Sequence, residues 1–167
     1  MTEASLDPRF SDPEAEPTAW ADAQRELEQA KAYWLSTVRE DGRPHVTTIA
    51  ALWFDGAVHF TTGVDEQKEK NLEHNPHCVI TTGCNSFEGL DVVVEADAIL
   101  EADPGRLQAL ADAYRAKYGD LFDFELREGG FRVKGAQGDG LVYRLKVTKA
   151  FGFAKGPFSQ TRWRFDS

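Results

Sequence analysis

The spacing of apolar and polar positions changes period several times along this chain, and each change marks an element. Trp20, Ala23, Leu27 and Ala30 recur at helical spacing over residues 18–31, behind Pro17, and predict a first helix. From residue 32 the period shortens. Residues 33–39 read as a strand, Glu40-Asp41-Gly42-Arg43 as hairpin chemistry, and residues 44–54 as a second strand rich in β-branched and aromatic side chains. Asp55-Gly56 predicts another tight turn into a strand over 57–62, where Val58, Phe60 and Thr62 share one face and His59 and Thr61 the other. A helix over 65–74 stops before Pro76, and a strand over 77–82 follows. Residues 91–101 form a long strand with Val92, Val94, Ala96, Ala98 and Leu100 on one face. Asp103-Pro104 starts a helix with an acidic N-cap and proline in the first turn; Leu107, Leu110, Ala111, Tyr114 and Tyr118 make its stripe, and Gly119 ends it. Residues 121–126 are expected to add a short helical turn, and 141–153 to alternate as the last strand. About six strands joined by hairpins, with few helices, predict a mainly β (α+β) fold, an antiparallel barrel with helices at its ends whose closure removes exposed edges.

Length and charge narrow the picture. The 167 residues fit one domain with a tail: residues 1–16, acidic and broken by Pro8 and Pro13, are expected to lack fixed structure, and 17–167 to carry the domain. The net charge of −9 argues against nucleic acid as a partner, since phosphate affinity needs a basic footprint. That charge is uneven. Residues 1–28 carry −6, while 141–165 hold six basic residues and no acid. The longest apolar run, 49–54, has six residues, so no membrane span is expected, and no secretory leader is read at the N-terminus. Cys78 and Cys84 cannot make a disulfide framework and suit a reducing cytoplasm; neither has a neighbouring base, so both are expected to be inert.

The most informative stretch is Phe60-Thr-Thr-Gly-Val-Asp-Glu-Gln-Lys-Glu-Lys-Asn-Leu72. A strand ends in two hydroxyls and a glycine, and a helix with Lys68 in its first turn begins soon after, which makes an anion pocket. The same residues also read as a turn capped by Asp65 beside a solvated lysine face, and Asp65 and Glu66 sit where a phosphate would. His74 and His77 flank Pro76, which breaks any shared helical face, so no metal site is expected. His59 reads as a hydrogen-bonded wall residue, His45 equally as groove lining or hairpin edge, and the loop 135–140 as a weak phosphate candidate. No acid, base or nucleophile constellation stands out, so the catalytic residue is left unassigned.

The runs Gly42-Arg-Pro-His-Val-Thr-Thr-Ile49, Trp53-Phe-Asp-Gly56, Phe60-Thr-Thr62, Lys68-x-x-Asn71-Leu72 and Asn75-Pro76 together resemble the pyridoxamine 5′-phosphate oxidase-like split-barrel family. The ending Thr161-Arg-Trp-Arg-Phe165 is similar to that of its flavin/deazaflavin oxidoreductase branch. The resemblance implies an antiparallel Greek-key split β-barrel and a homodimer that binds FMN or coenzyme F420 in grooves at the dimer interface. It places Val46, Thr47, Thr48 and Ile49 along the isoalloxazine-type ring by their backbone, Thr61 and Thr62 at the ribityl and phosphate end, and Gln67 and Lys68 at the phosphate. Trp163 and Arg164 correspond to an aromatic and basic pair approaching from the partner subunit. Gln67 departs from the pattern, where a basic residue is common. The implied activity is hydride transfer between the cofactor and a small-molecule substrate, with the protein binding and tuning the cofactor. The basic segment 141–165 would suit the extended anionic tail of F420 ahead of FMN. The rival reading is a non-catalytic barrel that binds haem, stores flavin or acts as a sensor.

Overall fold

The alternation read from the sequence becomes an open, antiparallel sheet flanked, among the described residues, by three α-helices. The computed structural model describes residues 2–83, 86–134 and 138–165. In chain order the elements are β1 (Thr2–Leu6), α1 (Trp20–Gln29), β2 (Tyr33–Val38), β3 (Pro44–Ile49), β4 (Ala51–Phe54), β5 (Ala57–Gly63), α2 (Gln67–His74), β6 (His77–Thr82), β7 (Gly89–Leu100), α3 (Pro104–Tyr118), β8 (Phe124–Arg127), β9 (Gly130–Val133), β10 (Gly140–Lys155) and β11 (Ser159–Phe165). The β4–β5 turn needs positive φ at both central residues, and Asp55 (48°) and Gly56 (74°) supply it.

The path β1-β11-β10-β7-β6-β2-β3 carries most of the sheet. β10 organises the rest. One of its edges pairs β9 and then β7; the other pairs β5 over Gly140–Arg144 and then β11 over Lys149–Ala154. A bulge between Val147 and Lys149 divides the two halves and lets the strand bend from one partner set to the next. This is the split β-barrel architecture, with a sheet that does not close on itself.

Two cores lie on the covered faces. Leu27 and Ala23 of α1 pack with Tyr33, Leu35, Ile80, Val92, Val94, Leu145 and Trp163, all buried. Under α3, Leu107, Leu110 and Tyr114 pack with Leu52, Phe131 and Val142. The Asp103 side chain accepts the Arg106 N–H at 2.8 Å as the N-cap of α3, with Pro104 inside the first turn. No helix among the described residues is long and apolar enough to cross a membrane.

Four expectations are corrected. The sheet has eleven strands among the described residues rather than about six, and it keeps open edges at β1 and β3. The acidic start is not a loose tail throughout: Thr2–Leu6 pairs with β11, Asp12 accepts the Phe158 N–H at 2.9 Å, and Ser11 accepts that of Gln160 at 3.0 Å. Backbone pairing with a strand more than 150 residues away organises it despite its charge. Residues 121–126 divide between a 3-10 turn (Gly119–Phe122) and β8, because Phe122, Phe124 and Phe131 cluster on Tyr114. The strand expected over 44–54 is two, broken at Ala50.

Candidate functional site

β5 delivers Thr61 and Thr62 to one end of the sheet. The Thr61 hydroxyl donates to the Leu141 carbonyl at 3.0 Å, and Thr62 is buried. The chain turns through Gly63–Glu66 into α2, whose buried face is mostly polar: Lys68, Glu69 and Asn71, with Leu72. Polar groups are buried when partnered. Gln67 Nε2 donates to Asn71 Oδ1 at 2.8 Å, and Asn71 Nδ2 donates to Thr37 Oγ1 at 2.8 Å. Thr37 Oγ1 also meets His45 Nδ1 at 3.5 Å, so the first turns of α2 are sewn through β2 to β3. Glu69 Oε1 accepts the Tyr143 hydroxyl at 2.9 Å, while its Oε2 is buried without a partner.

Lys68 is the cation of this cluster. Its side chain is 8% exposed, and its ammonium pairs with Glu66. The other Glu66 oxygen, Oε1, accepts the Gly63 N–H at 2.8 Å. Burial pushes the Glu66 carboxyl up, but Lys68 and the Gly63 N–H outweigh it and leave the group below the ordinary glutamate range. Burial, reinforced by the charges of Arg39 and Lys68, lowers the His45 imidazole. Burial likewise raises Glu69.

Four of the ten residues expected at a cofactor site come together. Thr61, Thr62, Gln67 and Lys68 share the β5–α2 corner, and His45 brings β3 beside it. On β3, Val46 and Thr48 are exposed and Thr47 and Ile49 turn the other way. β3 pairs only β2 among the described residues, so its free edge turns main-chain N–H and C=O groups outward, and these can lie along a ring. The Thr47 hydroxyl is buried without a partner there.

Trp163 does not join them. It is fully buried within the chain, with Nε1–H donating to Thr18 O at 3.1 Å and its ring against Trp20. The expectation that it reaches a partner's cofactor is corrected: alternation on β11 turns Trp163 inward and Arg162 and Arg164 outward. The basic stripe is also less free than its sequence implies, because acids of β7 face it. Lys149 pairs with Glu95 at 2.8 Å and Lys155 with Asp91 at 2.7 Å.

Arg39 is the residue that the sequence pattern missed. With Glu40, Asp41 and Gln67 it lines an opening of about 370 Å³ beside the start of α2, and it makes no salt bridge among the described residues. It supplies positive charge next to Gln67, where the resemblance leads one to look for a basic side chain. An arginine ending a strand just before a charged turn is the signal that could have found it. Cys78 is buried, and burial pushes its thiol up to about 12. His77 faces out and bonds Asp97 at 2.6 Å, so it does not share a face with Cys78. Cys84 and residues 135–137 of the glycine loop lie outside the described residues.

A buried lysine, a neighbouring arginine, a free N–H edge and an orphan threonine hydroxyl fit an anionic, planar cofactor. The pyridoxamine 5′-phosphate oxidase family model matches residues 20–152. Comparison with curated proteins gives no match. Among solved structures, a conserved hypothetical protein from Mycobacterium tuberculosis superposes with a TM-score of 0.66 at 18% identity, covering 82% of this chain and 85% of that one. HutZ, the haem storage protein from Vibrio cholerae, gives 0.61 at 21% identity over 82% and 92% of the two chains. An F420 reductase gives 0.54 at 23% identity over 76% and 94%. These three likenesses are of fold, and together with the family match over most of the sequence they establish that the chain belongs to the pyridoxamine 5′-phosphate oxidase family.

Proposed function

We propose that this protein is a flavin- or deazaflavin-dependent oxidoreductase acting on a small organic acceptor, with coenzyme F420 ahead of FMN. The observation that carries this reading is the buried Lys68 beside the Gly63 N–H, set at the end of β5 next to the open edge of β3. Lys68, with Arg39 flanking it, would hold the cofactor phosphate; Thr61 and Thr62 would border the ribityl chain; the main chain of Val46, Thr47, Thr48 and Ile49 would orient the ring. When bound, the cofactor supplies the hydride chemistry. A phosphodiester carries one negative charge where a phosphomonoester carries nearly two. It therefore meets less repulsion from Asp65 and Glu66, which favours F420.

The reading includes a homodimer and a cytoplasmic location. The outward face of the sheet supports the dimer: Thr48, Trp34, Thr81, Val93 and Phe151 align in one row across β3, β2, β6, β7 and β10. Trp34 is 43% exposed and Val46 55% exposed on that face, which suits burial against a second copy. Arg164, outward on β11, remains available to a partner's groove.

Absorption spectra during titration with F420, FMN and haem test the assignment. Stoichiometric binding of F420 or FMN is expected. A Soret band with no binding of either flavin-type cofactor would replace this reading with the haem-storage one.

A further inference from the structure

We infer that Glu66 is a built-in competitor for the phosphate seat, a carboxylate of the chain itself that an anionic cofactor must displace in order to bind. The inference deepens the cofactor reading by naming what controls access to that same site. Two observations carry it. Glu66 Oε1 accepts the Gly63 N–H at 2.8 Å while Oε2 pairs with the Lys68 ammonium, so one carboxylate fills a backbone N–H and a cation together. That donor pair is the arrangement a phosphate oxygen takes at a strand-to-helix turn. The two partners are also unequal: the Lys68 side chain is 8% exposed, whereas that of Glu66 is 50% exposed.

The inequality gives the direction of exchange. A buried ammonium needs a counter-charge wherever it sits, so Lys68 must keep an anion. Glu66 can rotate into water at little cost, because half of its side chain is already solvated. An incoming phosphate therefore replaces one anion with another, and its affinity is what remains after Glu66 has been displaced. The seat should also reject weak anions, because only a ligand with further contacts along β3 outcompetes a tethered carboxylate.

Glu66→Gln keeps an oxygen for the Gly63 N–H but removes the charge. The test is the Gly63 amide resonance, followed by NMR while inorganic phosphate is titrated into wild type and Glu66→Gln, with F420 and FMN titrations run in parallel. Phosphate affinity should rise at least tenfold in Glu66→Gln, and adding Lys68→Ala should abolish the gain. Without phosphate, Glu66→Gln should melt lower than wild type, and phosphate should raise its midpoint more. Equal or weaker phosphate affinity in Glu66→Gln would overturn the inference. Should Glu66→Gln fold poorly, Glu66→Asp, too short to reach both partners, should show a smaller gain; none at all would overturn the inference too. Because inorganic phosphate is the probe, a gain in phosphate affinity with no binding of F420 or FMN would sustain the competitor and sink the cofactor reading alone.

Discussion

Adding one methyl group at Gly152 tests the inward placement of Trp163. An alanine Cβ there would lie 2.4 Å from Trp163 Cη2, 2.9 Å from Cζ3 and 3.3 Å from Leu90 Cδ1. Carbon contacts settle near 3.5–4 Å, so the indole must retreat by roughly 1 Å. It has nowhere open to go: the ring is fully buried, its N–H is held by Thr18, and Trp20 packs against it with centroids 5.2 Å apart. Overpacking of this kind costs about 1–3 kcal/mol. Loss of glycine freedom in the unfolded chain returns about 0.4–1 kcal/mol. Gly152→Ala should therefore lower stability by about 1–2 kcal/mol, a Tm drop of roughly 2–8 °C for a chain of this size. Calorimetry and urea unfolding measure it. In a Trp163→Phe background, where the clashing ring atoms are gone, the same substitution should cost on the order of 1 kcal/mol less. A Gly152→Ala variant as stable as wild type, or an equal cost in both backgrounds, would refute the packing and leave Trp163 free to face a ligand.

Three further outcomes follow from other parts of the molecule. His59 is 1% exposed and its pKa is pushed down to about 4 by burial, so below the ordinary value of 6.5 the unfolded chain binds a proton that the folded one refuses. Stability should fall by roughly 3 kcal/mol between about pH 6.5 and 4 from this group, and urea midpoints of His59→Gln should lack that part of the slope. Trp34→Glu places a charge in the centre of the outward sheet face; analytical ultracentrifugation should find a dimer in wild type and mostly monomer in the variant, and a wild-type monomer at micromolar concentration would rule out the shared groove. Arg39→Ala should weaken F420 binding about three- to tenfold without lowering Tm, read by deazaflavin fluorescence, because Arg39 makes no salt bridge among the described residues.

Much of this was legible in the chain. The helical stripe of α3 and its Asp103-Pro104 start, the Asp55-Gly56 hairpin and the long β7 all follow from local periodicity and turn chemistry. The Thr61–Lys68 corner was legible for the same reason: its hydroxyls, glycine and lysine are close in sequence. β1 was not, because it is ordered by Thr161–Phe165 at the far end of the chain, and no local pattern encodes that pairing. Trp163 was misplaced because an aromatic between two arginines looks exposed until the strand alternation is known. The basic stripe of β10 misled for a related reason, since its counter-charges stand on β7, more than fifty residues earlier. Glu66 was read as sitting where a phosphate would, but only the fold reveals that it bridges Gly63 and Lys68.

The affinity of the purified protein for F420 and FMN, measured for wild type, Lys68→Ala and Lys70→Ala, bears most directly on the proposed cofactor site. Lys68 is buried at the β5–α2 corner, while Lys70 is exposed. A charge-assisted contact is worth about 1.5–3 kcal/mol, so Lys68→Ala should weaken cofactor binding at least tenfold and Lys70→Ala by less than about threefold. Equal small effects from the two substitutions would mean that no phosphate sits at Lys68, and the site would have to be sought elsewhere on the barrel.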